Sequence, residues 1–178
     1  MKRVPLSLFT FLFLLSGLCA APTKTVWQIG EKNHSASEWA LSPDKYKEFL
    51  ANDFGWEDRF YIIGLSSPQK DFPYVLPGPA DHWAATIYTA GIRTHVLNIL
   101  FGMKEVPETD SWKLIIDLLD THHEFPALFK ITINGKSWKY ALPKGSGKSI
   151  DGDYSQIKPH TIEIPLNSGV IRIGSNSI

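Results

Sequence analysis

The stretch Leu128–Ala141 reads LFKITINGKSWKYA, and two strand-like runs in it flank the pair Asn134-Gly135. Both turn residues tolerate a positive φ, which the type I′ turn of a two-residue β-hairpin requires. The stretch therefore predicts a tight antiparallel hairpin with strands Leu128–Ile133 and Lys136–Ala141.

Outward from the hairpin, the remaining strands are also predicted to be short. In Trp112–Leu119 every second residue is apolar, so these side chains share one face of a strand. Further strands are predicted at Thr25–Ile29, Phe60–Gly64, Arg93–Phe101, His160–Pro165 and Val170–Ile173. Seven or eight short strands without long intervening helices predict an all-β fold, an antiparallel β-sandwich of the jelly-roll type.

One short helix is predicted at Pro43–Leu50, because Ser42 suits the N-cap and a proline suits the first helical position. At the other end, Asn176–Ile178 resembles the start of a strand more than the end of a domain. We therefore expect a sandwich that lacks its last strand, which would leave a sheet edge open.

The first 21 residues have the order of a secretory signal peptide: basic residues, an apolar run from Leu6 to Leu15, and then small residues. The apolar run is too short to span a membrane. Leu18 stands where a lipid anchor on Cys19 would need a smaller residue, which disfavours such an anchor. We expect cleavage between Cys19 and Ala21, a jelly-roll domain over residues 22–178, and a secreted or periplasmic location.

The composition of the chain disfavours some classes of partner and favours others. The chain has 18 basic and 18 acidic residues, and losing Lys2 and Arg3 with the signal peptide leaves a slight acidic excess. Such a balance disfavours a nucleic-acid partner, which would require a basic surface. The single cysteine lies in the signal peptide, so no disulfide is expected. Aromatic residues make up 12% of the chain, which hints at sugar binding because apolar sugar faces stack on aromatic rings.

Two polar segments are candidates for a catalytic or binding site. The run KGSGKS at 144–149 lacks the first glycine of a phosphate loop and the helix that should follow it, so we interpret it as a flexible basic loop. Asp120, His122 and Glu124 follow the strand Trp112–Leu119. Adjacent histidines on an extended segment would point in opposite directions, and no zinc-binding spacing is present, so no metal or cofactor is expected.

The aromatic residues divide by context. Periodic apolar neighbours predict that Trp27, Trp112 and Trp138 lie in the core. Trp56, Tyr74 and Trp83 lie in segments without periodicity, next to prolines and polar residues, which favours a ligand-facing position. In the proline-rich segment 70–83, we expect Phe72 and Val75 to pack on the core while Tyr74, His82 and Trp83 face the rim of the sandwich.

Several segments together resemble a known family. They are TVWQIGEKNHSASEW, DFGWEDRFYIIGLSSPQKDFPYVLPGPADHW, WKLIIDLLDTHHEFPALFKITINGKSW and PHTIEIPL. In this order they are similar to the carbohydrate-binding-module-like jelly-roll domain of polysaccharide lyase family 4, the third domain of rhamnogalacturonan lyases. The resemblance spans about residues 25–173. It implies a sandwich that holds pectin-type glycan for a neighbouring catalytic domain, and it implies no lyase residues in this chain.

Three functional hypotheses follow. The first is a secreted, non-catalytic module that binds polysaccharide, with stacking by Trp56, Tyr74 and Trp83 and polar contacts from His82, His122 and Lys144. The second is an enzyme, a lyase or hydrolase, whose site would combine Asp81 and His82 with Asp120, His122 and Glu124. The third is a scaffold that packs on a catalytic domain without touching sugar.

Overall fold

A computed structural model describes residues 24–40, 59–72, 96–106, 111–149 and 152–178 of the chain. In these ranges strands dominate, with one short helix. The strands are β1 (Arg59–Ile62), β2 (Leu97–Met103), β3 (Trp112–Leu118), β4 (Leu128–Ile133), β5 (Lys136–Ala141), β6 (His160–Leu166) and β7 (Gly174–Ser177), and the helix is α1 (Pro68–Asp71).

The predicted hairpin is confirmed. Strands β4 and β5 pair antiparallel, with Ile133 opposite Lys136 at the turn and Leu128 opposite Ala141 at the open end. Asn134 has a φ of 46° and Gly135 a φ of 88°. Both values are positive, as a type I′ turn requires, so the local sequence alone determines this register.

The strands form three small sheets that belong to an all-β sandwich. Strands β3 and β6 pair antiparallel, and β7 pairs antiparallel with β2. The antiparallel β-sandwich is confirmed with one exception among the described strands, because β1 pairs parallel with β2. Strand pairing depends on the path of the chain between two strands, and the residues from Phe72 to Val96 provide enough length for a parallel crossover.

The core lies between the sheets and is built from alternating side chains. Ile133 of β4 and Ile164 of β6 are fully buried. The opposite faces of the same strands carry lysine, threonine and glutamate, so each strand presents one face to the core and one to water. The buried cluster is Phe101, Ile131, Ile133, Ile162, Ile164, Leu166, Val170 and Ile171.

Two predicted strands are wrong. Residues 25–29 form no strand, although Trp27 packs its ring on Phe101 with centroids 5.2 Å apart. Residues 170–173 are also irregular, and the strand begins only at Gly174. Val170 and Ile171 are nevertheless buried. In both segments the apolar side chains reach the core from a turning backbone, so periodicity correctly indicated burial but not a strand.

The predictions for the core aromatics are confirmed, because Trp27, Trp112 and Trp138 all pack against the buried cluster. The ring of Phe72 packs on Trp39, with centroids 4.9 Å apart, and on the buried Tyr61, with centroids 5.8 Å apart. The predicted helix Pro43–Leu50 and residue Val75 lie outside the described residues. Helix α1 was not predicted, although Ser67-Pro68 repeats the pattern of Ser42-Pro43.

Candidate functional site

Two loops at one end of the sandwich carry the predicted binding residues that the structure describes. The first joins β3 to β4 (residues 119–127) and contains His122, and the second joins β5 to β6 and contains Lys144. The backbone N–H of Gly145 donates to the carbonyl of His122 at 3.3 Å. His122 and Lys144 are therefore brought to the same end. The other predicted residues, Trp56, Tyr74, Asp81, His82 and Trp83, lie outside the described residues.

Asp120 joins the two loops. Its Oδ1 accepts from the backbone N–H groups of Ser146 (2.8 Å) and Thr121 (3.0 Å). Its Oδ2 accepts from the Ser146 hydroxyl (2.5 Å) and the Lys148 backbone N–H (3.1 Å). In addition, the Thr121 hydroxyl donates to the carbonyl of Pro143 at 2.6 Å. One carboxylate thus holds the second loop against the first.

The KGSGKS run is an anion-binding loop whose anion comes from the protein itself. Its backbone N–H groups converge on the Asp120 carboxylate, as successive amides do around anions in backbone nests. Gly145 is buried there, and a Cβ at this position would overlap the Thr121 carbonyl. The prediction of a flexible basic loop did not include these contacts, because they depend on a residue 26 positions away in the chain.

These hydrogen bonds change the ionisation of Asp120. Burial raises the pKa of the carboxyl, but the hydrogen bonds from Ser146, Thr121 and Lys158 outweigh burial and bring the pKa below its ordinary value. The carboxylate is therefore favoured in the folded state, where its charge is satisfied by donors.

A pH dependence follows from the lowered pKa. The stabilisation by Asp120 is fully present above the unfolded-state pKa of 3.8 and is lost as pH falls from there through the lower folded-state pKa. We expect the free energy of unfolding to fall more steeply below that pH in the wild type than in Asp120→Asn. Urea denaturation at a series of pH values measures both profiles, and parallel profiles would contradict the role given to Asp120.

The two adjacent histidines do not point in opposite directions, which corrects the prediction. The rings of His122 and His123 stack with centroids 4.7 Å apart and an interplanar angle of 18°. The backbone bends here, because Nδ1 of His122 accepts from the backbone N–H groups of Glu124 (3.1 Å) and Phe125 (3.0 Å). An accepting Nδ1 carries no proton, so this geometry places the proton of the neutral ring on Nε2.

Phe125 is the residue that the sequence reading missed. Its side chain is 62% exposed, and its ring lies 6.0 Å from the ring of His122. The sequence feature that could have indicated its exposure is an apolar ring in a polar loop, directly before Pro126. We call four residues of the two loops the rim, because they combine exposed or half-exposed rings with a lysine. They are His122, His123, Phe125 and Lys144.

The hydrogen bonds of Asp120 and His122 also test whether these two residues form the acid–base pair of the enzyme hypothesis. Both oxygens of Asp120 are occupied by donors of the second loop, and Nδ1 of His122 is occupied by backbone N–H groups. The Asp120 carboxylate and Nδ1 of His122 are therefore not hydrogen-bonded to each other, as a proton-transfer pair would require.

Within the described ranges, no group of three or more His, Cys, Asp or Glu side chains is placed to hold a metal ion. No helix in those ranges is long and apolar enough to cross a membrane.

One comparison with known proteins agrees with the fold. None of the curated proteins compared with the chain matches it. A family model described as "CBM-like: Polysaccharide lyase family 4, domain III" matches residues 25–178. The match covers nearly all of the chain, including the hairpin and both loops of the rim. The chain therefore belongs to the CBM-like family formed by domain III of polysaccharide lyase family 4.

Proposed function

We propose that the chain is a secreted carbohydrate-binding module that holds pectin-type glycan for a catalytic domain of a rhamnogalacturonan lyase-like protein. Family membership supports a role in polysaccharide processing. Beyond that role, we propose that the chain binds glycan, that the glycan is of the pectin type, that a catalytic domain is its partner, and that a signal peptide at residues 1–21 directs its export.

The observation that carries the proposal is the exposed ring of Phe125 at the rim. A phenylalanine that is 62% exposed gains little from folding, because most of its apolar surface stays in water. The same ring can bury that surface against the apolar face of a sugar. The neighbouring imidazole of His122 would extend the stacking surface, since its ring is only 6.0 Å away.

The polar part of the rim would provide orientation. Asp120 holds the loop of Lys144 against the loop of His122, so the donors of both loops are positioned before a ligand arrives. Preorganised groups lose less conformational entropy on binding. Trp56, Tyr74, His82 and Trp83 stay predicted contributors to the same function.

Isothermal titration of the chain against rhamnogalacturonan, homogalacturonan and arabinan oligosaccharides tests the proposal. We expect at least one of them to bind with a Kd below the millimolar range. Failure of all three to reach that affinity would contradict a binding module and would favour the scaffold hypothesis.

The variant Phe125→Ala is expected to bind the best of these oligosaccharides about five- to tenfold more weakly, because it removes one stacking ring. Phe60→Ala is the matched control, since Phe60 is 61% exposed but lies on β1, outside the rim loops. Titration of both variants with the same oligosaccharide measures the effect. Equal affinities for the two variants would remove Phe125 from the binding site.

A further inference from the structure

The outer face of the β4–β5 hairpin carries three pairs of directly opposite residues. Leu128 lies opposite Ala141 at the open end, Lys130 opposite Lys139 in the middle, and Thr132 opposite Ser137 near the turn. We call these six residues the lysine strip. The hydroxyls of Thr132 and Ser137 are hydrogen-bonded to each other at 2.8 Å.

The lysine pair is unfavourable for the isolated fold. Directly opposite residues have Cβ atoms about 4.5–5.5 Å apart, and like charges at that distance destabilise a sheet. Both lysines are exposed. In the part of the chain that the structure describes, neither has a carboxylate partner. By contrast, Lys113 on the outer face of β3 pairs with Glu163 of β6 at 3.2 Å.

The strip is continuous with the rim. Strand β4 begins three residues after Phe125, and β5 ends three residues before Lys144. The pair Leu128–Ala141 therefore lies at the rim end of the hairpin, with Leu128 66% exposed. An extended ligand that stacks on Phe125 would continue along the strip toward the turn.

We propose that the lysine strip binds a polysaccharide bearing carboxylates, through Lys130 and Lys139. This inference rests on the proposed function and deepens it by naming a site and a charge class. Two ammonium groups without a carboxylate partner among the described residues would bind sugar carboxylates by charge-assisted hydrogen bonds, and a bound carboxylate would remove the repulsion within the pair. Leu128 offers an apolar patch to a sugar ring, and Ser137 and Thr132 offer hydroxyls.

The test compares Lys130→Gln/Lys139→Gln with Lys113→Gln, a control that removes an exposed, ion-paired strand lysine from the other sheet. Oligogalacturonate is the charged probe, and a neutral galactan oligosaccharide of equal length is the uncharged one. We expect the double variant to bind oligogalacturonate about tenfold more weakly than wild type, with a smaller dependence on salt. The control variant is expected to bind like wild type.

The outcomes separate this inference from the proposed function. Loss of oligogalacturonate binding in the double variant, with the thermal midpoint unchanged or raised, supports the lysine strip. Equal oligogalacturonate affinity in the double variant and wild type overturns it, even if the chain binds glycan. Binding of the neutral probe alone also overturns it while the proposed function stands. As a further probe, polyglutamate that binds as tightly as oligogalacturonate would overturn the assignment to a polysaccharide, because the strip would then bind any polyanion. No binding of any glycan would overturn both proposals.

Discussion

Replacing Asn176 with alanine is expected to lower the free energy of unfolding by about 3 kcal/mol, because a buried amide with several partners is removed. Asn176 is 3% exposed. Its Oδ1 accepts from Nδ2 of Asn134 (2.7 Å) and from the backbone N–H of Arg172 (3.0 Å). Its Nδ2 donates to the carbonyls of Arg172 (2.8 Å) and Gly174 (3.1 Å).

The loss would extend beyond one residue, because Asn176 and Asn134 together connect β7 to the hairpin turn. Asn134 accepts from the backbone N–H of Ser177 (3.0 Å) and donates to the carbonyl of Val170 (2.8 Å). Without Asn176, Nδ2 of Asn134 and the backbone groups of Arg172 and Gly174 would each lose a hydrogen-bond partner. The buried apolar residues that precede β7, Val170 and Ile171, would then be less firmly positioned.

Chemical denaturation of Asn176→Ala, compared with Asn167→Ala, measures this effect. Asn167 is exposed and lies in the turn after β6, so its replacement removes an amide of the same kind outside the buried network. We expect a change within about 0.5 kcal/mol for the control. A loss below 1 kcal/mol for Asn176→Ala, estimated roughly from the mean value of a hydrogen bond, would contradict the structural role of the network.

The second large effect is expected at Asp120. Asp120→Ala should lower the free energy of unfolding by about 2 kcal/mol, because it leaves the donors of Ser146, Thr121 and Lys148 without their acceptor. The value is smaller than for a fully buried group, since water reaches part of this site and can replace some of the hydrogen bonds. The loop of Lys144 should also separate from the loop of His122.

Hydrogen exchange distinguishes this local effect from general destabilisation. In Asp120→Ala, the amides of Ser146 and Lys148 are expected to exchange faster, while those of the hairpin strands change little. Asp153→Ala is the matched control, because this half-buried aspartate of the same loop accepts only from its near neighbours Ser155 and Gln156 among the described residues. Unchanged exchange at Ser146 in Asp120→Ala would refute the account of the loop.

The features that could be predicted from the sequence are those with local causes. The hairpin follows from Asn134-Gly135, since few residues other than these adopt the required positive φ. The strands β3 and β6 follow from strict apolar alternation. The segment 170–173 was misassigned because a short apolar run has the same composition whether it forms a strand or a buried turn.

The rest of the candidate site could not be predicted because its contacts are distant in sequence. The interaction of Asp120 with Ser146 depends on two loops meeting at one end of the sandwich, which no local pattern encodes. The stacking of His122 on His123 depends on a bend stabilised by backbone donors of Glu124 and Phe125. The pairing of Lys130 with Lys139, by contrast, follows from the hairpin register and could have been read from the sequence.

The most direct test of the central claim, that the rim binds glycan, is amide chemical-shift mapping of the ¹⁵N-labelled chain. The titrant is the oligosaccharide that binds best in calorimetry, added to saturation. We predict the largest shifts at Phe125 and at Gly145–Gly147, whose amides lie in the two rim loops. Saturation by the sugar with no shifts in either loop would contradict the claim and would place the binding surface elsewhere on the chain.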